Sequence, residues 1–355
     1  MLTITFTVED LARTRLAVSP LWETVASIRL LKTPRAQTFH REWARTTKDR
    51  IARAGVELEL LFDLIDPGVW YLADFLTPPP QSAVPDLATD LGAMRRVPAE
   101  QVRADLDVLG YARTHPIGSL EEASVPRRLR SARAKDLPSG AAADLYADPD
   151  AGISRLADQV EAYWELAMAP HWGRIRALLE GDVLYRGRRL GQAGPAGLFE
   201  DLAESVRWRD GALHIKHRRF KGVRQLSGEG LLMTPSAFVW PMVYSSTITP
   251  WQPTLTYPAR GVATLWNDSA RTASAGVSAV LGRSRAELLS QLDTPRSTTE
   301  LARRTGLTAG GVSQHLGALR SGGLVTPHRV GRVVLYARTS VAEALLEAAE
   351  QPESG

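Results

Sequence analysis

Two periods of apolar residues run through this chain, and each predicts its own elements. Near the start, Leu2–Phe6 sets Thr3 and Thr5 against Ile4 and Phe6, the period-two pattern of a short strand. Ser19-Pro20-Leu21-Trp22-Glu23 then reads as a helix start, with Ser19 as N-cap and Pro20 at the first helical position. Leu21, Trp22, Val25, Ile28 and Leu31 or Leu30 give that helix one apolar face. Residues 41–53 and 56–65 predict two further helices, and Pro78-Pro79-Pro80 breaks the pattern. Residues 1–80 are therefore read as a first segment.

The second segment, residues 86–275, is mixed. Helices are expected over 87–94, 99–110, 153–169 and 199–206. Val183–Leu190 reads as a hairpin around Gly187. Val206-Arg207-Trp208 and Leu213-His214-Ile215 flank Asp210-Gly211, a strong hairpin signal. Leu231–Thr234, Phe238–Tyr244 and Thr254–Tyr257 are predicted strands. The expected fold class is α+β: a large N-terminal mixed domain followed by a smaller C-terminal module.

The third segment, residues 276–350, is the most readable. Ser284-Arg285-Ala286-Glu287 and Ser297-Thr298-Thr299-Glu300 each fit a capping box, which opens a helix. The second of these helices spans Thr298–Arg304. Thr305-Gly306-Leu307 makes a tight turn, and Thr308 caps a third helix that runs to about Ser321 before Gly322-Gly323 ends it. Leu324–Val330 and Val333–Ala337 are β-rich runs joined at Gly331-Arg332, and Val341–Ala349 predicts a last helix. Three helices followed by a hairpin is the plan of a winged helix-turn-helix, whose second turn helix enters the major groove of DNA.

A helical wheel for the third helix selects the residues that face outward. Each residue advances about 100°. Val312, Leu316 and Leu319 share the core face, and His315 lies at its edge. Gly310, Gln314, Gly317 and Ser321 point the opposite way, with Ser313 and Arg320 beside them. A glycine inside a helix costs about 1 kcal/mol relative to alanine, so Gly310, Gly311 and Gly317 imply a helix backbone lying close to DNA. Gln314 has the right groups for adenine N6 and N7. Ser313 and His315 are further candidate contacts, and Thr308 caps the helix at its approach to the groove. Arg303, Arg304, Arg320, Arg329 and Arg332 are placed to hold phosphates or reach a minor groove.

Charge supports this placement. The whole chain is only +4, but Arg283–Arg338 holds nine arginines against three acids. A local basic segment suits a polyanionic partner. Cysteine is absent, so disulfides, thiolate metal sites and cysteine nucleophiles are excluded. The N-terminus lacks the pattern of a secretory signal, and no stretch approaches the ~18 apolar residues of a membrane span. The expected compartment is the cytoplasm, with no membrane partner.

Thr298–Arg304, then Val312-Ser313-Gln314-His315-Leu316 through Leu319 and Gly323-Leu324-Val325, resembles the ArsR family of bacterial winged-helix repressors. The resemblance covers about a fifth of the chain. It implies a homodimer on a palindromic double-stranded operator, released or reset by an effector. The stretch Val18-Ser19-Pro20-Leu21-Trp22-Glu23-Thr24 resembles a domain found upstream of this module in actinobacterial regulators. Metal-sensing members often carry paired cysteines where this chain reads Glu300-Leu301-Ala302-Arg303-Arg304. A second family site uses Asp and His on the last helix, and residues 341–350 contain neither. No metal site is expected.

Elsewhere the chemistry is sparse. His214 and His217 sit close in sequence but would face opposite sides of a strand. No P-loop, GxGxxG, GxSxG or HExxH motif occurs, so no catalytic residue and no cofactor is assigned. Trp164, Trp172, Trp208, Trp240, Trp251 and Trp266 are candidates either for core packing or for the lining of an apolar or aromatic effector site. The reading is thus a regulator with a sensing or dimerising N-terminal part and no enzyme activity. Its rival is an enzyme in residues 1–275 with a regulatory DNA-binding module, which converging carboxylates of shifted pKa in a deep pocket would favour.

Overall fold

The computed structural model describes the chain except residues 35–36, 116, 120–139, 218–219, 267–274, 293–295, 331–332, 340, 343 and 347–355. It divides into two compact units, Met1–Ala263 and Thr264–Gly355. The residues on either side of the Pro78–Pro80 run share the first unit. The α+β class holds, because both units combine helices with a sheet.

The first unit joins two small sheets to a helical layer. Strand β1 (Leu2–Thr5) lies inside a five-stranded sheet in the order β3-β6-β1-β5-β4. The others are β3 (Gly118–Ser119), β4 (Val206–Arg209), β5 (Ala212–Ile215) and β6 (Phe220–Gln225). Leu2 pairs with Ile215 on one side and Gly222 on the other. The expected β4–β5 hairpin forms: Asp210 and Gly211 both take positive φ, 53° and 70°, as a tight two-residue hairpin turn requires. A four-stranded sheet, β2-β7-β9-β8, contains β2 (Arg15–Leu16), β7 (Leu232–Ser236), β8 (Tyr244–Ser246) and β9 (Thr254–Pro258). One apolar cluster, including Leu2, Ile4, Leu213, Ile215, Met233 and Leu255, spans strands from both sheets.

The helices of this unit are α1 (Val8–Arg13), α2 (Pro20–Leu31), α3 (Arg41–Ala54), α4 (Glu59–Leu64), α5 (Leu87–Arg95), α6 (Ala99–Thr114), α7 (Ala141–Ala147), α8 (Pro149–Ala167) and α9 (Trp172–Phe199). Ser19 caps α2 as its sequence predicts, accepting from the Trp22 N–H at 3.0 Å. Helix α8 is the hub of the layer and buries Ile153, Leu156, Val160 and Tyr163 against its neighbours. The Tyr163 hydroxyl meets Ser27 of α2 at 2.8 Å.

Three expectations for this unit are overturned. The hairpin predicted over 183–190 is instead the middle of α9. Gly187 suggested a turn, but Ile175, Leu179, Asp182 and Arg186 recur at helical spacing and form the buried face. Asp182 and Arg186 are a fully buried i,i+4 ion pair, N to O 3.3 Å. Asp182 also accepts from Tyr257 at 2.8 Å and from the Arg260 N–H at 3.1 Å. Arg186 donates to the carbonyls of Leu198 and Glu200. The helix breaks where Gly194 takes φ 62° ahead of Pro195 and stops at Phe199. Residues 200–205 are turns, so the helix expected over 199–206 is absent. The strand expected over Phe238–Tyr244 is a turn followed by the short β8, because Pro241 has no N–H for a ladder.

The second unit comprises α10 (Ala275–Leu281), α11 (Arg283–Ser290), β10 (Arg296–Ser297), α12 (Thr298–Thr305), α13 (Ala309–Ser321), β11 (Val325–Val330) and β12 (Val333–Arg338). Its sheet runs β10-β12-β11, and β11 pairs antiparallel with β12 from Val325↔Arg338 to Val330↔Val333. Leu288, Leu289, Leu301, Val312, Leu316, Leu319 and Val325 form its core. The capping box expected at Ser284 does not form: α11 starts two residues earlier, with Gly282 at the N-cap position and no side-chain cap. Ser297 does cap α12, accepting from the Glu300 N–H at 3.2 Å. Residues 341–342 and 344–346 are helical, and the end of the predicted last helix lies outside the described residues. No described helix is long and apolar enough to cross a membrane.

Candidate functional site

The helix pair α12–α13 is built by local rules. Gly306 closes α12 in the left-handed conformation, φ 71°, where a residue with a Cβ would be strained. Two residues later Thr308 begins α13, its Oγ1 accepting from the Gly311 N–H at 3.1 Å. Val312, Leu316 and Leu319 then bury one side of α13, as the wheel requires.

The opposite side is open and nearly without side chains. Gly310, Ser313, Gln314, Gly317 and Arg320 are exposed, Thr308 is exposed at the cap, and His315 is half-buried at the core edge. A Cβ built on Gly310 or Gly317 meets nothing within 4 Å. Their φ values lie outside the left-handed region, so neither packing nor backbone geometry within the described residues demands glycine there. Gly311 differs, since its Cβ would come to 3.2 Å from the Thr308 Oγ1.

The arginines divide into two groups. Arg303, Arg320 and Arg329 are exposed, and Arg304 is exposed while donating to Gln291 Oε1 at 2.9 Å. Arg332 lies outside the described residues. Two others from the basic segment hold the unit together. Arg296, 5% exposed, bridges Glu300 at 2.7 Å and the Gln291 carbonyl. Arg338 donates to the carbonyls of Leu289 and Ser290, rooting the hairpin on the C-terminus of α11. Net charge alone gave no means of separating the two groups.

The first unit holds a constellation that the sequence reading missed. Asp74 and Asp105 are buried near each other. Asp74 accepts from Tyr71 at 2.9 Å and from Ser246 at 2.6 Å. Asp105 accepts from Gln101, the Phe75 N–H and the Trp251 indole. Burial, then the neighbouring Asp105 charge, push Asp74 up to about 8, and burial raises Asp105 to about 6. Asp74 borders a cavity of about 20 Å³, room for one water, with Trp22, Ser246 and Trp251 also in its wall. The Trp22 indole N–H is buried without an acceptor among the described residues. One signal was available: Asp74 interrupts the apolar run Trp70–Leu76, and Asp105 sits on the apolar face of α6 beside Val102 and Leu109.

Of the candidate tryptophans, Trp164 and Trp172 pack edge-on at 4.9 Å, and Trp208 stacks on Phe199. Trp240 lies against Phe39 at the surface. Trp251 does line a cavity. His214 and His217 do not converge: His214 neighbours Thr3 and His217 neighbours Ser245. No group of three metal-ligating side chains occurs among the described residues.

Comparison with protein families finds two matches. A family model described as a family of unknown function, DUF5937, matches residues 1–263, well over half of the chain. A second, described as a helix-turn-helix domain, matches residues 283–328. That second match spans α11 to the middle of β11 and supports a DNA-binding regulator module at the C-terminus. Neither the comparison with curated proteins nor that with solved structures finds a match.

Proposed function

The chain belongs to the DUF5937 family of unknown function, and from that premise we propose that it is a homodimeric, ArsR-like repressor whose first unit senses a small molecule. In this reading α13 lies in the major groove of a palindromic operator. Gln314 reads a base edge, Ser313 and His315 contact bases or phosphates, and Arg303, Arg304, Arg320, Arg329 and Arg332 hold the backbone. The observation that carries it is the bare face of α13. Gly310 and Gly317 weaken the helix by about 1 kcal/mol each relative to alanine, and no contact within the described residues accounts for them. Close approach to an external surface does.

Control follows if the effector binds the DNA-competent and DNA-incompetent dimers with different affinity, because only that difference shifts the equilibrium. The test is selection of bound fragments from a genomic pool, followed by titration of the selected duplex at several salt concentrations. A two-fold symmetric site whose affinity falls steeply with salt is expected. Recovery of no enriched sequence rejects the proposal. Gln314→Ala relaxes preference at one base position per half-site; an equal loss on all sequences makes Gln314 a positioning contact instead.

A second reading has one observation in its favour. The Asp74–Asp105 pair beside a cavity is an arrangement suited to proton transfer, so an enzyme in the first unit is the alternative. Its weakness is access: Asp74 is 7% and Asp105 2% exposed.

A further inference from the structure

Next to the buried acidic pair lies a wider, open groove of about 510 Å³, within the range of roughly 300–1,000 Å³ typical of small-molecule sites. Its walls are Pro79, Pro98 and Pro250 with Trp251, and its polar groups include Arg96 and Gln81. We infer that this groove is a binding site for a planar aromatic carboxylate, with the ring stacked on Trp251 and the carboxylate on Arg96. The inference extends the sensor half of the proposed function and rests on it for its regulatory consequence, though binding itself can be measured without DNA.

Three observations select this ligand class. First, Trp251 is a fixed platform. Its backbone N–H donates to the Ile248 carbonyl at 3.2 Å and its indole N–H to Asp105 at 3.3 Å, so both ends of the residue are held. A held aromatic surface loses little freedom when a flat ligand covers it. Second, the prolines that share the wall with Trp251 are rigid and apolar, so they add contact surface with no rotatable side chain to be ordered. Third, Arg96 is the ionisable side chain lining the groove. It is exposed, and its guanidinium lies beside Gly92 of α5 and makes no ion pair or hydrogen bond among the described residues. Arg96 can therefore meet a carboxylate with its two-pronged donor geometry. An organic cation would find an arginine and no carboxylate in the same wall.

The site also has a route to the interior. Trp251 and Pro79 border both this groove and the small cavity at Asp74. A ring resting on Trp251 thus bears on a side chain hydrogen-bonded to Asp105, which also receives the Phe75 N–H.

The experiment is a calorimetric titration of the full chain with 2-naphthoate, its neutral amide 2-naphthamide, and 2-naphthylmethylammonium. Saturable one-to-one binding of naphthoate is expected, with the ammonium binding at least tenfold more weakly. Arg96→Gln, a surface change that keeps the fold, weakens naphthoate by about tenfold or more and leaves the amide unchanged. Trp251→Phe weakens both. Absence of saturable naphthoate binding, equal binding of the ammonium, or an Arg96→Gln variant that holds naphthoate as tightly as the parent overturns the site. In a separate titration with the selected operator, naphthoate shifts DNA affinity. If naphthoate binds through Arg96 and DNA affinity does not move, the site stands and its role as effector site is rejected. If no DNA is bound at all, the regulator reading fails without touching the site.

Discussion

The two units place their unusual residues in opposite ways. The first hides ionisable side chains: Glu23, Asp74, Asp105, Asp182 and Arg186 all lie buried, each with at least one hydrogen bond or ion pair to meet it. The second strips a surface, leaving a helix face of glycines, one glutamine and small polar groups open to solvent. Buried charge is costly to leave unpaired and so constrains the interior. A bare face contributes nothing to the interior; under the proposed function its reason is DNA. The contrast then sets residues that hold the interior against residues that the proposal assigns to a partner.

Substitutions that attack one unit at a time sharpen that contrast. The largest expected effect is Arg186→Met, which leaves Asp182 buried without its cation and destabilises the first unit by about 3–5 kcal/mol. Chemical denaturation followed by tryptophan fluorescence reads it, since eight of the nine tryptophans fall within the first unit. In the second unit, Leu316→Ala empties the core and costs about 2–5 kcal/mol, read by thermal melting together with loss of DNA binding.

Gly317→Leu has the opposite profile. The added side chain faces open space in the free protein, so stability is kept or rises. Overpacking at the DNA surface then costs about 1–3 kcal/mol, roughly 5- to 150-fold in affinity, measured by fluorescence anisotropy. Equal DNA affinity of parent and variant would detach the glycine face from DNA.

A subtler difference concerns pH. Asp74 has a carboxyl of ordinary value 3.8 when unfolded and about 8 when folded, and burial raises Glu23 from 4.5 to about 8. In that window the unfolded chain has already released protons that the folded chain still holds. Stability from these groups is therefore full below about pH 4 and declines as pH rises toward 8. Urea unfolding at pH 6, 7 and 8 should show the decline, and Asp74→Asn with Glu23→Gln should flatten it. The smallest effect is Thr308→Ala, which removes the cap of α13 and costs about 1 kcal/mol.

Much of the second unit was legible because its rules are local. Caps at Ser297 and Thr308, the Gly306 turn and the Val312–Leu316–Leu319 stripe each act within a few residues. The same local reading failed at 183–190. There Gly187 suggested a turn, while the decisive partners of Asp182 and Arg186 lie at Tyr257, Arg260 and the carbonyls of Leu198 and Glu200. The candidate DNA face was visible as a wheel. The acidic pair was not, because Asp74 and Asp105 become neighbours only when α6 meets the segment at 74–76, and their partners Ser246 and Trp251 come from much later in the chain.

Strand β1 carries a consequence for how the protein is made. It is an inner strand, yet the residues beside Leu2 on either edge are Ile215 and Gly222. A ribosome must deliver more than two hundred further residues before either neighbour exists. Until then β1 has neither of its strand partners, and Leu2 and Ile4 lack the cluster mates that β5, β7 and β9 supply, which makes the segment a natural client for chaperones. The β11–β12 hairpin, by contrast, pairs Val330 with Val333 and can zip up within moments of emerging, so the sheet of the second unit is poised to mature on a faster clock than that of the first unit.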